Sequence, residues 1–527
     1  MKEKLAQKDL RSIVISLFTI STLFILPIIF KTDYTDLFIT KYVYYYVSAL
    51  VTIGLFLIIQ IVYYARGKLC QVNFQKWEIA LFVFLGICII STLQSDFVYE
   101  AFWGNEGRYN GLFLILLYCI TTFLVGRHLD MKQKYFDLFL IAGILVVLLG
   151  LGDYLDLNIL NLKHNMTKGK PGYTTFTSTV GNINFYTSYV ALVLGGTAGA
   201  FSNEKERWRT VFYYICYVLA FLGLITGNSD SGYLAMAAII GLLPLYCLKS
   251  RISARRYMIL LATSVSLIQL IGWINQIWSE RVIVLDSLLS KMARTETLIV
   301  AVVLWLITAF LYLKKRSSDN GDNLPKQWRY IWVGTLLCLL ICVLLILYDV
   351  NVAGNVARYP SLEQYLHFDD DWGTKRGYAW RIAWEYYVSF TPLHKVFGYG
   401  LETFPILTIY RNKWEMAYVY ESFYDSVHNE YLQYLLAIGA AGIFAYITFL
   451  VTIILTLINN IKKTPYLLGI VIGLIAYLVQ AVVNISTVNV AAVLWMLIAI
   501  GMAACRKPKV GTEKMSFGED VNGEKSN

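Results

Sequence analysis

Charged residues are scarce in this chain of 527 residues. They make up 15% of it, where a soluble globular protein carries about 25%. Segments of about ten residues with alternating polarity, the mark of a transmembrane barrel, are lacking too. The first apolar run continues into "PIIFKTDY" with no small-residue cleavage site, so it reads as a retained anchor and not a signal peptide. None of the eight cysteines falls in a predicted external loop. Cys88, Cys119, Cys216, Cys338 and Cys342 lie in apolar runs, and Cys70, Cys247 and Cys505 lie on or near the predicted cytoplasmic side. That placement excludes an external disulfide framework and the known metal-ligand spacings. No internal repeat or inverted half-to-half similarity points to a transporter built from duplicated bundles. The middles of the apolar runs are almost free of ionisable groups, Gln60, Gln269 and Gln480 being among the few strongly polar residues. Ion-coupled pumps need charge there.

What is present is apolar length. Hydrophobic residues make up 57% of the chain, and runs of about 18 or more residues, each enough to cross a bilayer, recur throughout. The pattern predicts an all-α polytopic membrane protein with about fourteen transmembrane helices (12–14), from 12–30 to 487–504. The last two runs, 466–484 and 487–504, are counted as spans, with a re-entrant hairpin as the alternative. Lys and Arg gather at 2–11, 66–76, 127–134, 205–209, 249–256, 314–316, 462–463 and 506–509. With fourteen spans all these clusters fall on one side, so both termini are expected in the cytoplasm. The net charge of +10 then needs no nucleic-acid partner. The expected organisation is a transmembrane bundle at 1–348 (about eleven spans), a large external loop carrying the catalysis at 349–430, C-terminal transmembrane helices at 431–504, and a disordered cytoplasmic tail at 505–527.

Polar residues collect outside. Four of the five histidines (His164, His367, His394 and His428) fall in external loops by this topology. The chain has no ATP-binding loop, so chemistry on that face requires a pre-activated compound, typically a glycan on a polyprenyl diphosphate. Such a donor needs cations for its diphosphate and a base for the acceptor hydroxyl. In "KRGYAWRIAWEYYVSF" (375–390), Arg376, Trp380 and Trp384 share one helical face and Arg381 lies one step round. Arginine binds phosphate in a planar, bidentate way. An interfacial helix with aromatic anchors would carry the same pattern. Arg108 sits among glycines in "EAFWGNEGRYNG". Lys168 and Lys170 precede "TSTVGNINFY", whose Asn182 and Asn184 stand at a helix start able to face an anion or simply to cap the helix.

The base candidate comes from "YDSVHNEYLQYLLAIGAAG" (424–442). With Ser426 as N-cap, His428 and Asn429 fall in the first turn, where the positive helix end disfavours imidazolium. A neutral imidazole can accept a proton near pH 7, and Asn429 or Glu430 could orient it. A structural histidine fits the same spacing. Downstream, Ala437, Ala441 and Ala445 recur every four residues, a pattern suited to close helix packing.

His428–Asn429, nine residues, Gly439, two residues and Gly442 resemble the signature of the O-antigen ligase and polymerase family. Arg376 with Trp380, the Gly398–x–Gly400–x3–Phe404 turn and the Gly181–Asn182–x–Asn184 helix start resemble further family motifs, in the family's order. The resemblance implies a metal-independent, inverting glycosyltransferase of the cell envelope, O-antigen ligase-like or a Wzy-type polymerase, acting in polysaccharide biosynthesis at the external face of the bacterial cytoplasmic membrane. It implies no cofactor. His428, with Asn429 and Glu430, would be catalytic. Arg376, with Arg381, Arg108 or Lys170, would hold the diphosphate. Asn182, Asn184, Trp380, Gly398 and Gly400 would position donor or acceptor. Implied partners are a polyprenyl-diphosphate (undecaprenyl-type) glycan donor, a lipid, glycan or protein acceptor, membrane lipids and polysaccharide-assembly proteins. The sequence departs from the family where many members carry a second Arg: it reads "TGNSDSGY", with Asp230 near that position. A lipid-linked oligosaccharide flippase is the competing class, and the charge-free spans oppose it.

Overall fold

The computed structural model describes residues 9–67, 73–285, 287–313 and 323–506. The expected tail lies outside the described residues except for 505–506. So do Lys2, Lys4, Lys8, Lys68, Cys70 and the whole 314–316 cluster. Among the described residues, eleven helices are long and apolar enough to cross a membrane. The three remaining expected spans are also helices: the shorter apolar Leu112–His128 and Leu467–Val483, and Ile183–Asn203, which is more polar. The only sheet among the described residues is a two-stranded hairpin pairing Phe176–Thr177 with Gly181–Asn182.

Ile183–Asn203 is the central post. Its residues from Phe185 to Ser202 are all buried. It lies against Leu467–Gln480 so closely that a β-carbon on Gly195 would fall 2.6 Å from the Gly473 backbone, and one on Gly199 would fall 2.7 Å from that of Gly469. Small residues four apart on both helices permit this approach, and in an apolar solvent close packing is what holds helices together. At the other extreme, Thr295–Leu313 and Gln327–Asn351 bury little of themselves against the rest of the chain.

The 349–430 connection builds its own small core. Tyr378, Ile382, Tyr386, Phe390, Phe404, Leu407 and Met416 cluster there, joined by Leu436 of the next long helix. Trp372–Ser389 supplies much of it. The helix is regular only from Arg376, because Gly373, Thr374 and Lys375 are left-handed, with φ of 60°, 60° and 69°. Pro392–Phe397 and Phe404–Tyr418 complete the layer.

The long helix Glu430–Asn460 breaks at Gly439 (φ 67°, ψ −174°). The break frees carbonyls, and the Gly398–Gly400 turn satisfies them: Tyr399 N–H donates to Leu436 O (2.8 Å) and Gly400 N–H to Ala437 O (3.0 Å). Ser91 Oγ also donates to Ala437 O (2.5 Å). A β-carbon on Gly439 would lie 2.4 Å from the Val396 carbonyl carbon, and one on Gly398 would lie 2.2 Å from Ala437 O. The same break corrects the expected alanine stripe. Ala437 belongs to the piece before Gly439, so it does not share one continuous face with Ala441 and Ala445.

Gly439→Ala should therefore destabilise the protein by about 2 kcal/mol or more, from backbone strain and overlap together. Gly86 has open space around it, so Gly86→Ala is the matched control. Thermal unfolding in detergent measures both, and equal midpoints would contradict the account of the break.

Candidate functional site

His428 does not sit in the first helical turn. The N-cap is Asn429, whose side-chain oxygen accepts from the N–H groups of Tyr431 (3.1 Å) and Leu432 (3.0 Å). Ser426, expected as the cap, is buried three residues earlier, and its hydroxyl has no hydrogen-bond partner. His428 precedes the cap with φ 53°, a left-handed backbone that costs about 1 kcal/mol outside glycine. The correction has a physical cause: an Asn side chain competes as well as Ser for a helix start, and spacing alone cannot choose between them.

That position turns His428 into a cleft of about 240 Å³ shared with Arg108, Asp425, Asn182 and Asn184 and walled by Phe38, Phe176 and Phe185. Four separate stretches of sequence meet there. Arg108 comes from a connection 317 residues before Asp425, yet the two form a bidentate pair, with Nε to Oδ2 at 2.9 Å and Nη2 to Oδ1 at 2.6 Å. Asn182 caps Ile183–Asn203 by accepting from the Asn184 N–H (2.9 Å). The Asn184 carboxamide oxygen accepts from Ser229 Oγ (2.6 Å). The strand pair Phe176–Thr177 and Gly181–Asn182 brings Phe176 and Asn182 to the same wall.

The electrostatics of His428 follow from this company. Burial disfavours imidazolium most, and the positive charges of Arg108 and then Arg376 add to the effect, bringing the pKa down to about 4 against a partial counterweight from Asp425. The ring is neutral at physiological pH. Its Nδ1 is buried with no hydrogen-bond partner.

Arg376 lines a second, larger cleft of about 690 Å³, with Asp230, Tyr233, Glu363, Asp369, Asp371 and Trp372 among its walls. The Arg376 side chain folds back over Gly373, where a β-carbon would lie 3.5 Å from its Cδ. Burial lowers its pKa, and the carboxylate of Asp230 opposes that shift. Trp380 stands behind this wall, its ring 5.0 Å from that of Trp372.

The other expected site residues are placed elsewhere. Arg381 is committed to carboxylates, contacting Asp370 (2.8 Å), Glu385 (2.9 Å) and Glu415 (3.4 Å), and lines neither cleft. Lys170 is an exposed cap of the short helix Pro171–Thr175. Glu430 turns into the helix bundle, where it accepts hydrogen bonds from the Tyr446 (2.8 Å) and Tyr477 (2.9 Å) hydroxyls. Asn429 spends its oxygen on the cap. Gly398 and Gly400 pack the helix break and line neither cleft. Among the described residues no group of three or more His, Cys, Asp or Glu could hold a metal ion.

Sequence reasoning missed Asp425 as the anchor of Arg108, Glu402, and the three phenylalanines. Burial pushes the Glu402 carboxyl up to about 7, with Arg108 opposing it. Glu402 shares a narrow internal cavity with Arg108 and Ser426. A glutamate inside a Gly-x-Gly turn motif carries no signal of burial.

Residues 281–447 match the family model described as O-Antigen ligase. The match supports a place in the O-antigen ligase/polymerase superfamily and an O-antigen ligase-like role in membrane glycan processing. The matched segment contains Arg376, His428, Gly439 and Gly442, while Arg108, Asn182, Asn184 and Asp230 lie before it. No curated protein matches the chain.

The neutral state of His428 can be read directly. In a titration of histidine-labelled protein followed by NMR, its resonance should move only near pH 4, and Arg108→Ala should shift that midpoint upward by removing a repelling charge. The native pKa lies below the unfolded value of about 6.5. Stability contributed by the neutral ring is therefore present above about pH 6.5 and is lost as pH falls towards 4. A midpoint near 6.5 in the native protein would contradict this picture.

Proposed function

We propose, from a chain whose 281–447 segment is of the O-antigen ligase type, that the protein transfers a glycan from a polyprenyl-diphosphate carrier to an acceptor hydroxyl at the external face of a bacterial cytoplasmic membrane. The observation that carries this reading is the convergence of a neutral His428 with Arg108 in one cleft walled by phenylalanines, with Arg376 close enough for its charge to act on the same ring.

Each part has a task. The diphosphate would sit between Arg108 and Arg376, which supply planar guanidinium donors. Phe38, Phe176 and Phe185 would line the first isoprene units. A ring nitrogen of His428 would take the acceptor's proton as that oxygen forms a bond to the anomeric carbon. The bond from that carbon to the phosphate oxygen breaks, and its electron pair leaves with the diphosphate. Attack opposite the leaving group inverts the anomeric centre. Asn184, fixed by Ser229, would hold a sugar hydroxyl. In this mechanism the protein's own cations neutralise the leaving group.

Ligase and polymerase share this step and differ in the acceptor. Deleting the gene separates them: full-length lipid-linked polymer accumulates when a ligase is lost, and single lipid-linked units accumulate when a polymerase is lost. Units trapped on the cytoplasmic leaflet would instead indicate a flippase and overturn the proposal.

His428→Ala should abolish transfer, by about 100-fold or more, while the protein still inserts and keeps its thermal midpoint. Near wild-type turnover would remove His428 as the base. Arg376→Lys should be severely impaired, because an ammonium cannot reproduce bidentate contact. Unchanged donor affinity in that variant would take Arg376 out of the diphosphate site.

A further inference from the structure

The two clefts differ in character. The one at His428 pairs a single arginine with a single aspartate between aromatic rings. The larger one is acidic: Asp230, Glu363, Asp369 and Asp371 line it against Arg376, and the imidazole of His367 lies 3.5 Å from Asp369. It is also built of aromatic surface. Trp372 packs on Phe368 at 5.0 Å and on Trp380 at 5.0 Å, and Tyr233 and Tyr365 line the same space. A volume of about 690 Å³ is in the range of sites that enclose small ligands. Aromatic faces beside carboxylate acceptors suit the two surfaces of a sugar ring, its C–H face and its hydroxyl edge. The position of Arg376 in the wall makes this space the continuation of the diphosphate site.

We infer that the 690 Å³ cleft holds the saccharide of the substrate and selects it by charge, accepting sugars that are uncharged or carry a free amino group and rejecting sugars with carboxylate or phosphate substituents. The inference rests on the function proposed above and names the substrate class of that site. An anionic sugar placed there meets four carboxylates and one guanidinium, and like-charge juxtaposition is an effective means of refusing a ligand. Glu363, Asp369 and Asp371 are exposed on the wall, so the discrimination is screened by salt over a Debye length of about 8 Å.

The test is direct binding of soluble probes to the full-length protein in detergent. Three oligosaccharides of equal length serve: a glucosamine oligomer, its N-acetylated form and a galacturonate oligomer. The amino and neutral probes should bind roughly fivefold or more tighter than the acidic one at low salt, and the gap should narrow in 0.5 M salt. The triple variant Glu363→Gln/Asp369→Asn/Asp371→Asn, with its thermal midpoint unchanged, should lose the discrimination. Asp230 is left intact because it faces Arg376. Equal affinity for the acidic probe overturns the charge selection. A triple variant that keeps the preference moves the selection to another part of the protein. Failure of all three probes to bind overturns the assignment of the cleft to saccharide. None of these results touches the proposed transfer, which stands or falls on the lipid-linked intermediates that accumulate without the gene.

Discussion

The break in Glu430–Asn460 is the constraint on which the site depends. An unsatisfied backbone carbonyl is costly in an apolar surrounding, so a helix opened at Gly439 needs donors from elsewhere. The Gly398–Gly400 turn provides them, and only glycine on both sides lets the two backbones come within reach. The 349–430 layer is thereby fixed to the first half of that helix, and Leu436 completes its core. His428 lies immediately before the helix and Arg376 lies in the layer. Their relation is set by this junction. A motif that looks like a signature of chemistry is, at its glycines, a signature of packing.

Charge organises the rest. Two arginines act on His428, and each has an acid of its own: Asp425 binds Arg108 directly, and Asp230 opposes the desolvation of Arg376. A guanidinium buried beside a base without such partners would be strongly unfavourable. Asp425 holds and orients Arg108, and Asp230 lessens the cost of burying Arg376. On the proposed function, a diphosphate would have to compete with Asp425 for Arg108, which favours a doubly charged ligand able to displace a single carboxylate.

How much of this was legible in the sequence depends on distance along the chain. The helices were plain, because fourteen apolar runs announce themselves by length, and His428 and Arg376 were found through local patterns. The central post is, in sequence, one apolar span among others. Its role comes from Gly195 and Gly199 facing Gly473 and Gly469, a match between two distant "small-x3-small" pairs that neither half states alone. The pair between Arg108 and Asp425 is invisible for the same reason, since nothing in "NEGRYNG" names a partner 317 residues away. Arg381 resembles a phosphate ligand in sequence, where its bonds to Asp370 and Glu415 do not show. Glu385 lies four residues further along the same helix, but Asp370 and Glu415 come from outside it, and only folding brings them to Arg381. Glu430 sits beside His428 in sequence, but the first helical turn rotates it towards Tyr446 and Tyr477.

An imidazole with a pKa of about 4 is reliably neutral but is also a weak base, and a catalytic base works best with a pKa near the working pH. The two demands are reconciled by what depresses it. Besides burial, the causes are the charges of Arg108 and Arg376, the groups proposed to hold the diphosphate. A diphosphate placed between them brings negative charge of similar size and cancels the repulsion felt by the ring. On the proposed function, the basicity of His428 would then rise when the donor is present, by the share of the depression that the arginines cause and not the share that burial causes. Without donor, the ring resists protonation and keeps its lone pair. Once the free diphosphate left, the charges of the arginines, offset only in part by Asp425, would again favour loss of the proton from the ring. Base and proposed anion site would in this sense be one electrostatic unit, because the same arginines act on both.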